Sequence, residues 1–111
     1  MSYEIRTKIV GVSFNNEDGS NRQELIKQLN EGDILTIKHE PENKYDSNSH
    51  IIKHNDKIIG HLKKELAESI VKKVKSGEKI LKISDWKKTG QEKHTLGVNI
   101  VIEMQGDGKN V

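Results

Sequence analysis

The chain has no cysteine, one proline and four aromatic residues of the Phe, Trp and Tyr types among 111 residues. Without thiols it builds neither a disulfide framework nor a thiolate metal site. With so few rings, Tyr3, Phe14, Tyr45 and Trp86 are the only surfaces on which a nucleobase can stack. Long apolar runs are missing too: no segment approaches the length of a membrane span, and the N-terminus carries no secretory signal pattern. An excess of one charge sign is also absent. Nineteen Lys and Arg against 17 Asp and Glu give a net charge of +2, so a nucleic-acid role must rest on a local patch rather than on overall charge. No G-x-x-x-x-G-K-[ST] loop is present, which excludes a phosphate-loop ATPase motor. Apolar residues make up only 32%. They nevertheless recur periodically, so the expectation is one small-cored, cytoplasmic domain with no membrane association and no cofactor.

The residues present divide into strands and helices by their periodicity. Ile5 to Val12 reads as a strand, and Asn15 to Gly19 as a turn-rich loop. Ser20 with Gln23 three residues later forms a capping-box pattern. Leu25, Ile26 and Leu29 make a helical stripe that Gly32 is placed to end. Asp33 to His39 alternates as a strand and Pro41 stops it. Asn48 to His54 and Lys57 to Leu62 form a hairpin around Asn55-Asp56. A second helix starts near Lys63, with Leu62, Leu66, Ile70 and Val74 on one face, Ala67 and Val71 beside them, and Gly77 as its C-terminal glycine. Lys79 to Trp86 and Leu96 to Met104 read as the last two strands. Residues 1–104 form the single domain, and 105–111 a frayed, disordered tail. The order β-α-β-β-β-α-β-β predicts a mainly β, α+β fold: a small, partly open barrel of the OB or SH3 kind with two packing helices.

Two stretches carry the chemistry. Asn43, Tyr45 and Asp46 place an amide, a phenol and a carboxylate within four residues after a strand. His61, Lys63 and Lys64 place an imidazole and two ammonium groups at a helix entrance, where the macrodipole already favours an anion. Arg22 stands at the start of the other helix. Together these suit a ligand with a planar ring, a hydroxyl and a phosphate, as at the end of a nucleic-acid strand. Blander roles exist for each. Asn and Asp in loops shape turns through their own backbone, Phe14 fits a core as well as a stacking platform, and exposed Lys residues usually form a solvated face. Lys72, Lys73 and Lys75 are read that way. His50 and His54, four residues apart on a strand, are about 13 Å apart and cannot share a metal ion.

The chain also resembles the HIRAN domain family, found in some SNF2-type DNA-repair ATPases and in small stand-alone bacterial proteins. The resemblance runs from about Lys8 to Glu103. It is carried by Val10-Gly11-Val12, Asn21-Arg22-Gln23-Glu24, Glu40-Pro41 with Asn43, Tyr45 and Asp46, Ile59-Gly60-His61-Leu62-Lys63-Lys64-Glu65-Leu66-Ala67, and Gly97-Val98-Asn99-Ile100. The order and separation of these pieces are more specific than any one of them. Ser49 departs from the alanine usual in the family, and a serine fits that volume. The resemblance implies a barrel-like fold related to OB and SH3 architectures and binding of single-stranded DNA at a free 3′ end, in DNA repair or processing, without catalysis. Taken with the reading of the residues, the expected mechanism is that Phe14 and Tyr45 stack bases, that Asp46 with Asn43 recognises the terminal sugar, and that Arg22, His61, Lys63 and Lys64 meet phosphates. A DNA-processing enzyme is the partner protein it suggests.

Two readings of other classes stand beside this one. The first is a protein-interaction or adaptor module without DNA binding. The second is a hydrolase acting on nucleic-acid ends through Asp46 and His61, although no nucleophile is evident beside that pair.

Overall fold

Strand β1 (Ser2–Lys8) alternates side chains between solvent and interior, and it lies antiparallel to β6 (Gly97–Gln105), with Ser2 opposite Gln105 and Lys8 opposite Asn99. The other side of β6 takes β5 (Lys79–Thr89), giving a three-stranded sheet of order β1-β6-β5 in this computed structural model, which describes residues 1–106. A second antiparallel sheet has the order β2-β3-β4, from β2 (Thr36–His39), β3 (His50–His54) and β4 (Lys57–His61). Helix α1 (Arg22–Lys27) leads into the second sheet, and α2 (Lys64–Lys75) connects it back to the first. The element order and the mainly β, α+β class match the sequence expectation. The sheets stay separate rather than forming a closed barrel. They join at one isolated bridge, where Val10 and His61 exchange both backbone hydrogen bonds at 2.8 and 2.9 Å.

Gly60 allows that junction. A Cβ built there would lie 2.8 Å from both the Val10 carbonyl oxygen and the Ile9 side chain, so only glycine lets β4 approach the end of β1 this closely. Between the sheets lies an aliphatic core rich in isoleucine, including Ile9, Ile26, Ile52, Ile59, Ile70, Ile100 and Ile102, closed by Met104. β-Branched side chains suit this role, since they pack on pleated surfaces with little rotamer freedom to lose. Trp86 packs against the core and donates Nε1–H to the Asp33 carbonyl at 2.7 Å.

Several boundaries move, for local reasons. β1 begins at Ser2 because β6 extends far enough to pair with it. It ends at Lys8 because Val10 leaves β6 to meet His61 and Gly11 then turns at φ +69°. The cap of α1 is Asn21, not Ser20: its Oδ1 accepts from the Glu24 N–H at 3.0 Å. Gln23 is drawn away from the capping role. Its amide group donates to the Val12 and Leu96 carbonyls and accepts from Leu96 N–H, tying α1 to both flanking loops. α1 ends at Lys27, before Gly32. β2 begins only at Thr36, since Asp33 is engaged with Asn30 N–H. The Asn55-Asp56 turn has positive φ at both residues, as a type I′ hairpin requires. Gly77 closes α2 with the paired bonds of a Schellman motif, Glu78 N–H to Lys73 O and Gly77 N–H to Val74 O. The buried face of α2 centres on Ala67, Ile70 and Val71, while Val74 is 45% exposed. Gln105 lies in β6 and Gly106 N–H donates to Met1 O; the rest of the expected tail lies outside the described residues. No helix among the described residues is long and apolar enough to cross a membrane.

Candidate nucleic-acid interface

The Val10–His61 bridge brings the loop after β1, the start of α1 and the end of β4 to one place. A β-bulge in the β3–β4 pair fixes what faces outward there. Ile59 goes into the core, while Ile58, His61 and Ile51 line a cleft, a common use of a bulge beside a site. The cleft has a volume of about 380 Å³ and is also lined by Asn16, Arg22, Glu40 and Asn43.

Arg22 is its centre. The side chain is only 6% exposed. It donates through Nε to Asn16 Oδ1 at 2.8 Å and through Nη1 to the Gly11 carbonyl at 2.8 Å. Asn16 is held in turn by donating to the Ile58 carbonyl at 2.9 Å. Arg22 Nη1 also lies 3.2 Å from His61 Nδ1. A guanidinium only donates, so His61 Nδ1 accepts and its proton sits on Nε2. Burial, and then the neighbouring Arg22 charge, lower the His61 pKa, against a smaller opposing pull from Glu40. His61 therefore enters the cleft neutral at pH 7, as an Nε2–H donor. Burial likewise lowers the Arg22 pKa, with Glu40 opposing, yet an arginine stays charged.

Gly11 and Phe14 complete this corner. A Cβ at Gly11 would lie 3.1 Å from His61 Nδ1 and 3.3 Å from Arg22 Nη1, and its φ of +69° already disfavours other residues. The Phe14 ring is 60% exposed, with the Arg22 guanidinium carbon 5.7 Å from its centroid. Such an exposed ring, with a cation beneath it, lies outside the core and offers a flat face to solvent.

Glu40 forms the opposite wall. Its Oε1 accepts from Asn43 Nδ2 at 3.3 Å and from Ser49 Oγ at 3.4 Å. Asn43 Oδ1 accepts from the Tyr45 and Asp46 N–H groups, and Asp46 Oδ1 accepts from Asn48 N–H at 2.9 Å. These are Asx-type turns, so Asn43 and Asp46 do shape the loop. Tyr45, 97% exposed, is displayed at its tip.

Of the eight residues expected from sequence, the structure gathers Arg22, Asn43 and His61 in the cleft and sets Phe14 at its edge. Tyr45 and Asp46 attach through Asn43, while Lys63 and Lys64 are exposed at the start of α2, outside the cleft lining. His61 faces Arg22 at Nδ1, where an acid–base pair with Asp46 would need a carboxylate. Sequence reasoning assigned no site role to Asn16, Gly11 or Glu40. Gly11 and Glu40 lie within the motifs quoted above. Asn16 lies in a polar loop, and its contacts to Arg22 and Ile58 O become visible only in three dimensions.

The cleft is not a simple basic site. Besides Glu40, its rim holds Glu17, Asp18 and Asp56. Lys57 is paired with Asp18, whose carboxyl is held well below the usual range by the Lys57 bond and then by bonds from Ser20. Hydroxyl groups fit such a lining better than phosphates do.

The HIRAN domain model matches residues 2–105, nearly the whole chain. No curated protein and no solved structure matches it.

Proposed function

The chain belongs to the HIRAN domain family, which is associated with nucleic-acid binding, and from that footing we propose that it binds single-stranded DNA at a free 3′ end, in DNA repair or processing, without cleaving it. The observation that carries this reading is the Arg22–His61–Phe14 corner facing the Glu40–Asn43 wall across one small cleft. The Phe14 ring, together with Tyr45 on its exposed loop, stacks one or two bases. The terminal sugar enters between His61 Nε2–H, a donor, and the carboxylates of Glu40 and Asp46, which accept from its hydroxyls. A carboxylate repels a phosphate, so the same wall disfavours a continuing chain or a phosphorylated end. Lys63 and Lys64 meet phosphates outside the cleft.

His61 is a poor general base in this reading, since its Nδ1 is occupied by Arg22 and its Nε2 already carries a proton. A DNA-processing enzyme remains the proposed protein partner. One observation favours an adaptor role as a second reading: Ile34 and Leu81, 76% and 44% exposed, flank the open gap between β2 and β5.

Replacing Tyr45 and Asp46 tests the end pocket, because both are exposed or loop-bound. Asp46→Ala is expected to lower affinity for a 3′-hydroxyl oligonucleotide to that for its 3′-phosphate counterpart. Parent-level binding and preference in both Tyr45→Ala and Asp46→Ala would overturn the model.

A further inference from the structure

The cleft has room and chemistry for one end of a strand, and its acidic rim leaves the following phosphates to partners outside it. In the end-binding reading Lys63 and Lys64 are two of these, and the outer face of the first sheet carries further exposed cations. Val10 and His61 are a hydrogen-bonded antiparallel pair, so their side chains share a face. Ile9 points into the core at 2% exposed while Val10 is 40% exposed. By the period-two alternation of a strand, Lys8 lies on the Val10 face, about 7 Å further along β1. Lys8 is opposite Asn99, and Asn99 is opposite Lys87. Lys8, Asn99 and Lys87 therefore form one exposed row across β1, β6 and β5, over a shallow depression of about 460 Å³.

Three observations single out this row. Lys8 and Lys87 have no carboxylate within ion-pair distance among the described residues, whereas Arg6 on the same face is tied to Glu4 at 3.1 Å. Gly97 lacks a side chain where Lys8 lies: a Cβ there would be 2.9 Å from Lys8 Cε. Gly97 is two residues before Asn99, in the direction of Val10, so Lys8 leans toward the cleft. The Thr89 hydroxyl, which lies against Gly97 as Lys8 does, is buried with no hydrogen-bond partner among the described residues.

We propose that Lys8, Asn99 and Lys87 form a phosphodiester track that continues the end pocket and holds the strand one to three nucleotides to the 5′ side of the bound terminus. This rests on the end-binding reading for its starting point. The spacing of outward side chains along β1 is comparable with that of successive phosphates in an extended strand. Lys87 then holds the chain laterally and gives the track its width.

The test is binding of unlabelled oligothymidylates of three to ten nucleotides, measured by calorimetry over a salt series. The parent, Lys8→Glu/Lys87→Glu and the charge-matched control Lys72→Glu/Lys75→Glu are compared, with the trinucleotide also supplied as its 3′-phosphate. The expected result is that the Lys8/Lys87 variant keeps the trinucleotide's end preference. It loses the gain from lengthening to six nucleotides, and its salt slope falls by about 0.7 for each of the two contacts. Lys8→Gln/Lys87→Gln gives the same readout should the charge-reversed chain not fold. Unchanged length dependence, or equal loss in the α2 control, overturns the track. Absence of end preference in the parent trinucleotide, with length dependence still vested in Lys8 and Lys87, would instead refute the end pocket alone.

Discussion

Arg22 and Phe14 are neighbours with opposite expected behaviour. Arg22 is buried and satisfies the Gly11 carbonyl and the Asn16 amide oxygen. Arg22→Met strands both acceptors, and unfolding in denaturant should show a loss on the order of 3 kcal/mol with an unchanged slope. Phe14 is mostly exposed, so Phe14→Ala should leave that midpoint nearly unmoved while weakening oligonucleotide binding by about 1–3 kcal/mol. Equal effects of the two variants on stability would contradict the assignment of Phe14 as a platform. At this scale the sequence was informative about residue type and less so about role. Scarcity of rings pointed to Phe14, and position at an element boundary pointed to Arg22 and His61. What could not be read was that Arg22 is buried and organises the site from within, because its partners come from residues 11, 16 and 61. Asn43 and Asp46 show the limit of local spacing, since the pattern that suggests a ligand contact is also that of an Asx turn.

The elements themselves were legible wherever a local device fixed them. The type I′ turn at Asn55-Asp56 and the Schellman glycine Gly77 both act within a few residues, and both stand where the sequence placed them. The first cap and the ends of β1 were not, since each is set with a distant strand or loop: Gln23 by Leu96, Ser2 by Gln105. The β3–β4 hairpin carries a pH dependence of its own. His50, 1% exposed and stacked on His39 at 4.7 Å, has its pKa lowered by burial, as does His61. In the unfolded chain both protonate near the ordinary pKa of about 6.5. The folded state then binds fewer protons than the unfolded state as pH drops below that value, so stability is full above it and falls on acidification toward the depressed folded values. Thermal midpoints between pH 8 and pH 5 should be flat above about 7 and decline below 6.5, with a shallower decline in His50→Gln. An equally steep decline in that variant would assign the effect to other groups.

For the whole molecule, the cleft depends on two sheets meeting at one bridge. The expected barrel is open on the β2–β5 side, and its single seam at Val10–His61 is where the cleft forms. Class and the order of elements along the chain followed from periodicity. The seam did not, because it rests on the absence of a side chain at Gly60. Gly60→Val should force β4 from β1, lower the unfolding midpoint and abolish binding together; retained binding would show that the cleft is not the site. The most direct measurement is fluorescence anisotropy of 5′-labelled single-stranded DNA at low salt, comparing a 3′-hydroxyl with a 3′-phosphate end. The expected result is clear preference for the free hydroxyl, since in the proposed pocket Glu40 and Asp46 accept from it and repel a phosphate. Equal affinity for both ends would contradict it and leave a basic surface without end recognition.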